Sequence, residues 1–525
     1  MRKLLLSMLA LTLATSAFAE LQNVTVGGSI RIRANFYTGM AATPTGVETR
    51  WPGFLLPDRP INFFTGNSIL SPFAFNSDEN KLDFVEQLTR VSVKADFTDE
   101  VSAFIEFDSY DTWGDAFRSN YLTGADGNSD GIGNDDVSLY QAYIEANEMY
   151  GYPLRLRVGR QELSFGSEWL VGVNDASSFY QGLSFDGARL TYATDMFSID
   201  AFAATLVEGG IAEEDEDVWF YGVYGSYLGL EDITIDAYWM WIRDARSLND
   251  TNSLAFGEWI EDILGLDNYD VTSLHTVGLR GAGTYGAFDF EAEAAYQFGD
   301  ADQLGFGVGI PGQTLPFVYG DDGAEFSNWG GNLEVGYTFD MNMTPRVFLG
   351  GAYLGGEDNR DISFIEWLNP FDRPEASVSF NRLFSNWEYS EFLENTDLSN
   401  VWLARGGVSI NPTESTEVLL TVTYFDTLEE FDVPRYFSIG RFRVPIAPGF
   451  SFWTQENDSA LGFEVGLYGT YNYSEDLAFN AGFAHFFTDD GASDGQFVAL
   501  NGTGFTGGSE DDDLNYLFLE TVLKF

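Results

Sequence analysis

Between Leu154 and Ala193 the sequence reads LRLRVGRQELSFGSEWLVGVNDASSFYQGLSFDGARLTYA. Leu154, Leu156 and Val158 alternate with Arg155 and Arg157, and after a polar connection the alternation resumes at Ala188-Arg189-Leu190-Thr191-Tyr192. Period-two alternation is the pattern of a β-strand with two unlike faces. Strands that are apolar on one face and cationic on the other have no place in a dry core. They fit the wall of a membrane pore, where one face meets lipid and the other lines water.

The remainder of the chain can be tested against that wall. Residues 1–19 read as a secretory signal: Arg2 and Lys3, the apolar run Leu4–Leu13, and a cleavage-type Ala17-Phe18-Ala19 before Glu20. No later run of about 18 apolar residues offers a transmembrane helix. Residues 20–525 are therefore expected to form one outer-membrane barrel domain. Cysteine is absent, so disulfides and thiolate catalysis are excluded. Aromatics at 16% and 56 glycines suit a chain of strands, tight turns and aromatic girdles. The net charge of −55 argues against nucleic acid, whose binding needs a basic footprint.

Alternating runs predict strands at 24–37, 85–97, 101–110, 137–147, 154–163, 183–193, 196–205, 218–229 and 232–243. They continue at 273–283, 287–298, 331–340, 345–355, 401–410, 415–426, 460–472, 476–487 and 514–525. The fold class is all-β: a transmembrane antiparallel barrel of about eighteen strands, wide enough for an aqueous channel. Short links such as Thr194–Asp195, Tyr285–Gly286 and Ser474–Glu475 alternate with long polar ones such as Gly39–Phe84 and Glu357–Asn400. Short periplasmic turns and long extracellular loops are the pattern of bacterial outer-membrane barrels. The last strand, with Leu517, Leu519, Leu523 and Phe525 on one face, resembles the closing strand that such proteins present to the barrel-insertion machinery.

Magnitude decides which face is which. A lipid-facing arginine near the midplane costs about 2–4 kcal/mol, so turning Arg31, Arg33, Arg155 and Arg157 outward would cost more than a typical domain's stability. Parity then places Arg31, Arg33, Arg90, Lys94, Arg155, Arg157, Arg189, Arg280, Arg346 and Arg405 in the lumen. Inward acids accompany them, including Glu106, Asp108, Glu145, Glu291, Glu293 and Glu464. Two consequences stay open. Rings of arginine select anions, and arginines paired with carboxylates stiffen the wall. Parity also sends Arg160 outward with Val158: either Gly159 marks a β-bulge that re-aims it inward, or Arg160 sits at the headgroup rim; the bulge is the expectation here, since strand glycines often mark one.

The blocks Gly159-Arg160-Gln161-Glu162-Leu163 and Ser184-Phe185-Asp186-Gly187-Ala188-Arg189-Leu190 resemble the bacterial alginate-export outer-membrane porins. The likeness recurs at Ala294-Ala295-Tyr296-Gln297-Phe298-Gly299, Phe380-Asn381-Arg382-Leu383-Phe384 and Gly482-Phe483-Ala484-His485-Phe486-Phe487. It covers almost the whole mature chain in the family's order, and implies an eighteen-stranded barrel whose arginine-rich constriction passes an anionic polysaccharide. Gln297 joins the pore-lining set with Glu291 and Glu293. The expected function is an outer-membrane channel for an alginate-like uronate polymer or oligomer. The alternatives are a general anion-selective porin for small solutes, and a plugged surface barrel whose acidic loops bind divalent ions or partners.

Asp126, Asn128 and Asp130 sit at alternate positions before a glycine, as at the start of a calcium loop, without the closing bidentate glutamate. They are candidate ligands for a structural calcium; no other cofactor is expected. Phe256, Trp259, Ile260 and Ile263 fall at helical spacing in Ala255–Leu266, a short amphipathic helix in an outer loop. The two histidines, His275 and His485, stand apart from any G-x-S-x-G, and no hydrolase chemistry is expected.

Overall fold

The computed structural model describes residues 21–39, 81–97, 100–113, 137–173, 175, 180–208, 217–245, 271–300, 325–356, 377–393, 398–429, 458–493 and 513–525, with strand pieces at 41–42, 73–74, 304–308, 317–321, 437–439, 442–444, 498–499 and 504–505. The signal segment, the Asp126–Asp130 calcium candidate and the 255–266 helix lie outside the described residues.

Eighteen strands form one antiparallel sheet that closes on itself. They are β1 (Asn23–Thr38), β2 (Lys81–Asp96), β3 (Val101–Thr112), β4 (Ser138–Ala146), β5 (Leu154–Gln161), β6 (Phe185–Ala193), β7 (Phe197–Val207), β8 (Val218–Leu230) and β9 (Ile233–Asp244). The circuit continues with β10 (Thr272–Tyr285), β11 (Phe288–Asp300), β12 (Glu325–Thr338), β13 (Arg346–Leu354), β14 (Val401–Thr413), β15 (Thr416–Thr427), β16 (Ala460–Asn472), β17 (Leu477–Thr488) and β18 (Leu514–Lys524). Every strand expected from alternation is present. β2 and β12 begin four and six residues earlier than expected, at Lys81 and Glu325. The added stretches are Lys81-Leu82-Asp83-Phe84 and residues 325–330, the second of which includes the buried Phe326 and the outward Trp329.

The seam lies between β1 and β18, where Ile30 faces Leu523 and Arg33 faces Glu520. Phe525 exchanges two backbone hydrogen bonds with Gly28, at 2.9 and 3.0 Å. A side chain at Gly28 would collide with the Phe525 ring and with the Arg90 carbonyl, so glycine makes room for the chain terminus. At the short-turn end, Gly286 carries φ +65° between β10 and β11, the left-handed geometry a two-residue hairpin needs.

Facing residues in an antiparallel ladder share a side of the sheet. Val26, Val91, Ile105, Ile144, Val158, Leu279, Leu333, Leu349 and Leu519 are exposed on the outer side. Closed pairing leaves no backbone group facing lipid unsatisfied, the condition for spanning a bilayer. Near the long-loop end, outward Trp219, Tyr221, Trp241, Trp239, His275, Phe298, Tyr296 and Trp329 follow one another in ring contacts of 4.7–6.3 Å, an aromatic girdle. A second band at the short-turn end includes Tyr285, Phe288, Phe339 and Tyr473.

The bulge expected at Gly159 is not there. Pairing runs without a shift from Leu156 to Arg160 against β4, and from Leu154 to Gln161 against β6. Gly159 takes φ +130° within that unbroken ladder, and a Cβ there would strike the Ala142 carbonyl across the strand, so glycine is required. The irregularity lies one strand away: Glu106 faces Gln141 and Phe107 faces Leu139, so Tyr140 is the extra residue. Arg160 therefore stays on the outer side with Val158.

The β5–β6 connection, expected as an outer loop, folds into the barrel instead. Its Leu163, Trp169, Leu170 and Val171 are buried, and so are Phe380, Phe392 and Leu393 of the β13–β14 connection. They pack on inward side chains: Phe165 on Phe202 and Tyr224, Phe384 on Phe185 and Phe220, Phe392 on Phe486. The long-loop half of the lumen thus holds an apolar core. Inward Phe202, Phe220, Met240, Ile242 and Leu274 supply its wall side.

Candidate functional site

The site is the inner wall with its two inward connections. Ladder register puts all ten cations assigned inward by parity on one side of the sheet, opposite the exposed row of Val26, Val91 and Leu279: Arg31 and Arg33 on β1, Arg90 and Lys94 on β2, Arg155 and Arg157 on β5, Arg189 on β6, Arg280 on β10, Arg346 on β13 and Arg405 on β14. Glu291, Glu293 and Gln297 of β11 share that side.

Eight of the ten hold a carboxylate within 4.0 Å. Arg31 and Arg33 both reach Glu520, at 2.6 and 2.9 Å. Arg90 lies 3.9 Å from Glu162, and Lys94 3.4 Å from Asp96. Arg157 pairs with Glu145 at 2.7 Å and Arg189 with Asp200 at 2.8 Å. Arg280 bridges Asp236 at 2.7 Å and Glu291 at 3.0 Å; Arg346 bridges Asp289 at 2.5 Å and Glu334 at 2.8 Å. Many of these guanidiniums also lie on a ring: Arg31 over Tyr180, Arg33 over Phe518, Arg90 over Tyr140, Arg157 over Tyr143 and Arg189 over Phe165, at 3.9–4.9 Å from the centroid. Each is fixed from two directions, by charge and by cation–π contact.

Arg155 and Arg405 differ. Among the described residues neither has a carboxylate within 4.0 Å. Arg155 donates only a 3.3 Å hydrogen bond to Thr191 Oγ1, and Arg405 lies 5.7 Å from the Phe348 ring. Arg155 sits beside Arg157 on the same strand, and Arg157 faces Arg189 across β5–β6. That patch carries three guanidiniums to the two carboxylates Glu145 and Asp200. Arg160 is no part of it: on the outer side it forms a bidentate pair with Asp186 at 2.7–2.8 Å, with the carboxylate 55% exposed.

The two inward connections form one unit. Phe384 N donates to Leu170 O at 2.8 Å, Gly172 N to Phe384 O at 2.9 Å, and Asn386 N to Glu168 O at 2.9 Å. Trp169, fully buried, donates Nε1–H to Tyr389 Oη, which donates to Asn332 of β12. The wall grips the unit at two further places. Gln297 donates to Asn381 O and accepts from Asn381 N, both at 2.7 Å. Glu464 of β16 accepts from Ser390 Oγ at 2.5 Å and from Glu391 N at 3.1 Å. Burial, with Glu388 and Glu464 nearby, pushes the Glu391 carboxyl up to about 8. Arg382 is buried, donating to Ser385 Oγ and Trp387 O above the Tyr389 ring.

Parity found the cations, and applied equally to acids it would have found Asp200, Asp236, Asp289 and Glu334. No pattern in the sequence signalled Trp169, Tyr180, Arg382 or Tyr389, whose places depend on how two remote connections meet. Among the described residues no group of three or more His, Cys, Asp or Glu is arranged to hold a metal ion.

A closed eighteen-stranded barrel with an apolar, aromatic-girdled exterior and a charged interior is a bacterial outer-membrane channel protein. The model of the family described as "Alginate export" matches residues 73–498, and the chain belongs to that family. Solved structures similar to it include OccK11 (OpdR) of Pseudomonas aeruginosa, 11% identical with a TM-score of 0.45 over 97% of this chain and 99% of that one. A BenF-like porin from Pseudomonas fluorescens Pf-5 is 10% identical with a TM-score of 0.47, covering 96% and 99%. OccAB4 of Acinetobacter baumannii is 10% identical with a TM-score of 0.46, covering 97% and 100%. No curated protein matches the sequence. The blocks that carry the family likeness meet in space: Gln297 holds Asn381, and Phe185 packs on Phe384.

Proposed function

We propose that the protein conducts a carboxylated, alginate-like oligosaccharide or polysaccharide across the outer membrane, and that Arg155 makes the passing contact with its carboxylates. The observation that carries this reading is the contrast between Arg155 and its neighbours. Arg157 and Arg189 have their charge answered directly by Glu145 and Asp200, whereas Arg155 has no carboxylate within 4.0 Å among the described residues. A guanidinium fork donates two parallel hydrogen bonds to a uronate carboxylate. One such contact in a wet lumen is weak enough to release the sugar again, as conduction requires. Family membership supports the same passenger class.

The test is the flux of short oligouronates into proteoliposomes, beside a neutral oligosaccharide of the same length. Arg155→Gln is expected to lower oligouronate flux severalfold and to leave the neutral sugar unchanged. Equal effects on both sugars would reject Arg155 as the contact. A second reading, a surface barrel closed by its own connections, is favoured by the apolar core those connections build inside the lumen. It predicts no flux of either sugar.

A further inference from the structure

The short-turn half of the inner wall carries an aromatic pair that stands apart from the packed core. Inward Phe202, Phe220, Phe348, Phe486 and Phe518 are buried, at 7% exposure or less. Phe104 of β3 and Tyr143 of β4 also face inward, opposite each other in the ladder. Both are half-buried and lie outside the apolar core that the inward connections build. Their rings stack with centroids 5.2 Å apart and planes 25° from parallel. The Arg157 guanidinium lies 4.2 Å from the Tyr143 centroid and steadies that ring. Among the described residues Phe104 carries no such cation, and Tyr143 is its one ring contact. A flat apolar face turned to lumen water forgoes the gain of burial, which a bound ligand restores.

Cations frame the pair on both sides. Lys94 of β2 faces Phe104 across the ladder, its side chain 49% exposed and its ammonium 3.4 Å from Asp96. On the other side the row passes from Tyr143 to Gly159 and Gly187, where no side chain rises from the wall. Arg155 stands two inward positions below Gly159 on β5. The inward acids beside the rings, Glu106 and Glu145, are held by Gln141 and Arg157.

We propose that Phe104, steadied by Tyr143, is a stacking platform for the apolar C–H face of a pyranose ring at the short-turn mouth of the lumen. A sugar chain seated there brings its carboxylates between Lys94 and Arg155. The ring holds a charged or a neutral sugar alike, and the cations choose between them. Two strand spacings, about 10 Å, and four residues of β5, about 13 Å, separate Phe104 from Arg155, a span that needs an oligomer. The carboxylated passenger rests on the reading above; the platform does not.

Saturation-transfer NMR on the refolded full chain in detergent micelles reads sugar contacts without requiring passage. The probes are a short oligouronate and a neutral oligosaccharide of the same length. Irradiating the aromatic protons of wild type is expected to saturate the ring C–H protons of both. Phe104→Leu keeps an apolar side chain without a flat face, and should weaken both sugars severalfold. Phe104→Trp, with a larger flat face, should tighten both. The Phe104→Leu loss should persist in concentrated salt, where charge contacts are screened.

No transfer to the neutral sugar in wild type overturns the platform. Equal affinities in wild type and Phe104→Leu, or a loss confined to the oligouronate, overturn it as well. If Phe104→Leu does not refold, Phe104→Trp decides: tighter binding of both sugars supports the platform, and unchanged or weaker binding overturns it. Transfer to the neutral sugar without transfer to the oligouronate leaves the platform standing and removes the passenger reading.

Discussion

The two halves of the lumen are built on the same eighteen strands and the same parity, yet they are different environments. Toward the short turns the inner wall is a belt of guanidinium–carboxylate pairs, from Glu145–Arg157 through Arg280 to Arg346. Toward the long loops the inner wall is phenylalanine, tyrosine and leucine, covered by two connections that fold inward. In the first half, charge is compensated by neighbours on adjacent strands. In the second, apolar side chains are satisfied by segments distant in sequence, as in the core of a soluble domain. The wall sets what can pass, and the connections set how much of the lumen is left for passage.

The contrast can be broken most severely at Trp169. Its indole is fully buried, and Trp169→Ala should cost about 3–5 kcal/mol, releasing the inward unit. Limited proteolysis should cut the β5–β6 connection far faster, and single-channel conductance should rise. Almost as large an effect is expected where the belt meets the seam. Glu520 accepts from Arg31, Arg33 and Asn480. Glu520→Gln leaves two guanidiniums uncompensated, and breaking such a buried pair costs about 3–5 kcal/mol. Its refolded barrel should melt at a lower temperature with the connections still protected from protease.

A smaller effect is expected at Gln297→Ala, which removes both bonds to Asn381; loss on the order of 1–2 kcal/mol should loosen the inward unit without moving the barrel's melting point. Proton linkage gives a test of the same contact. Because the Glu391 carboxyl titrates at about 8 when seated and near the ordinary carboxylate range when released, the seated state binds the extra proton between those values. Its contribution is present at acid pH and is lost as the pH rises through about 8. Protease sensitivity of the 377–393 segment should therefore rise from the ordinary carboxylate range up to about pH 8 in wild type and level off above it, and Glu391→Gln should flatten the profile. The smallest effect belongs to the outer face. Arg160→Ala removes an exposed pair worth at most about 1 kcal/mol, and should change neither stability by more than that nor any permeation property.

The same contrast explains what was legible in the sequence. The barrel was, because lipid on one side and water on the other impose period two on each strand in turn. Arg155 and Arg157 among leucines and valines are enough to orient β5. The common face of the ten cations followed from that parity, opposite the exposed apolar row of the strands. The place of Arg160 was obscured by Gly159, where the positive φ reflects a close approach to the Ala142 carbonyl and not an inserted residue. The carboxylate partners were within reach of the same parity and had to be paired across strands to be seen. The inward connections were not legible. Their residues are polar and apolar in no fixed period, and Trp169 meets Tyr389 across 220 residues of chain.

Single-channel recording of the purified chain in the presence of a short oligouronate tests the central claim most directly. Wild type is expected to show discrete conducting steps, with brief interruptions whose frequency grows with oligouronate concentration and falls severalfold in Arg155→Gln. Silent membranes, or interruptions that are the same in wild type and Arg155→Gln, would contradict it.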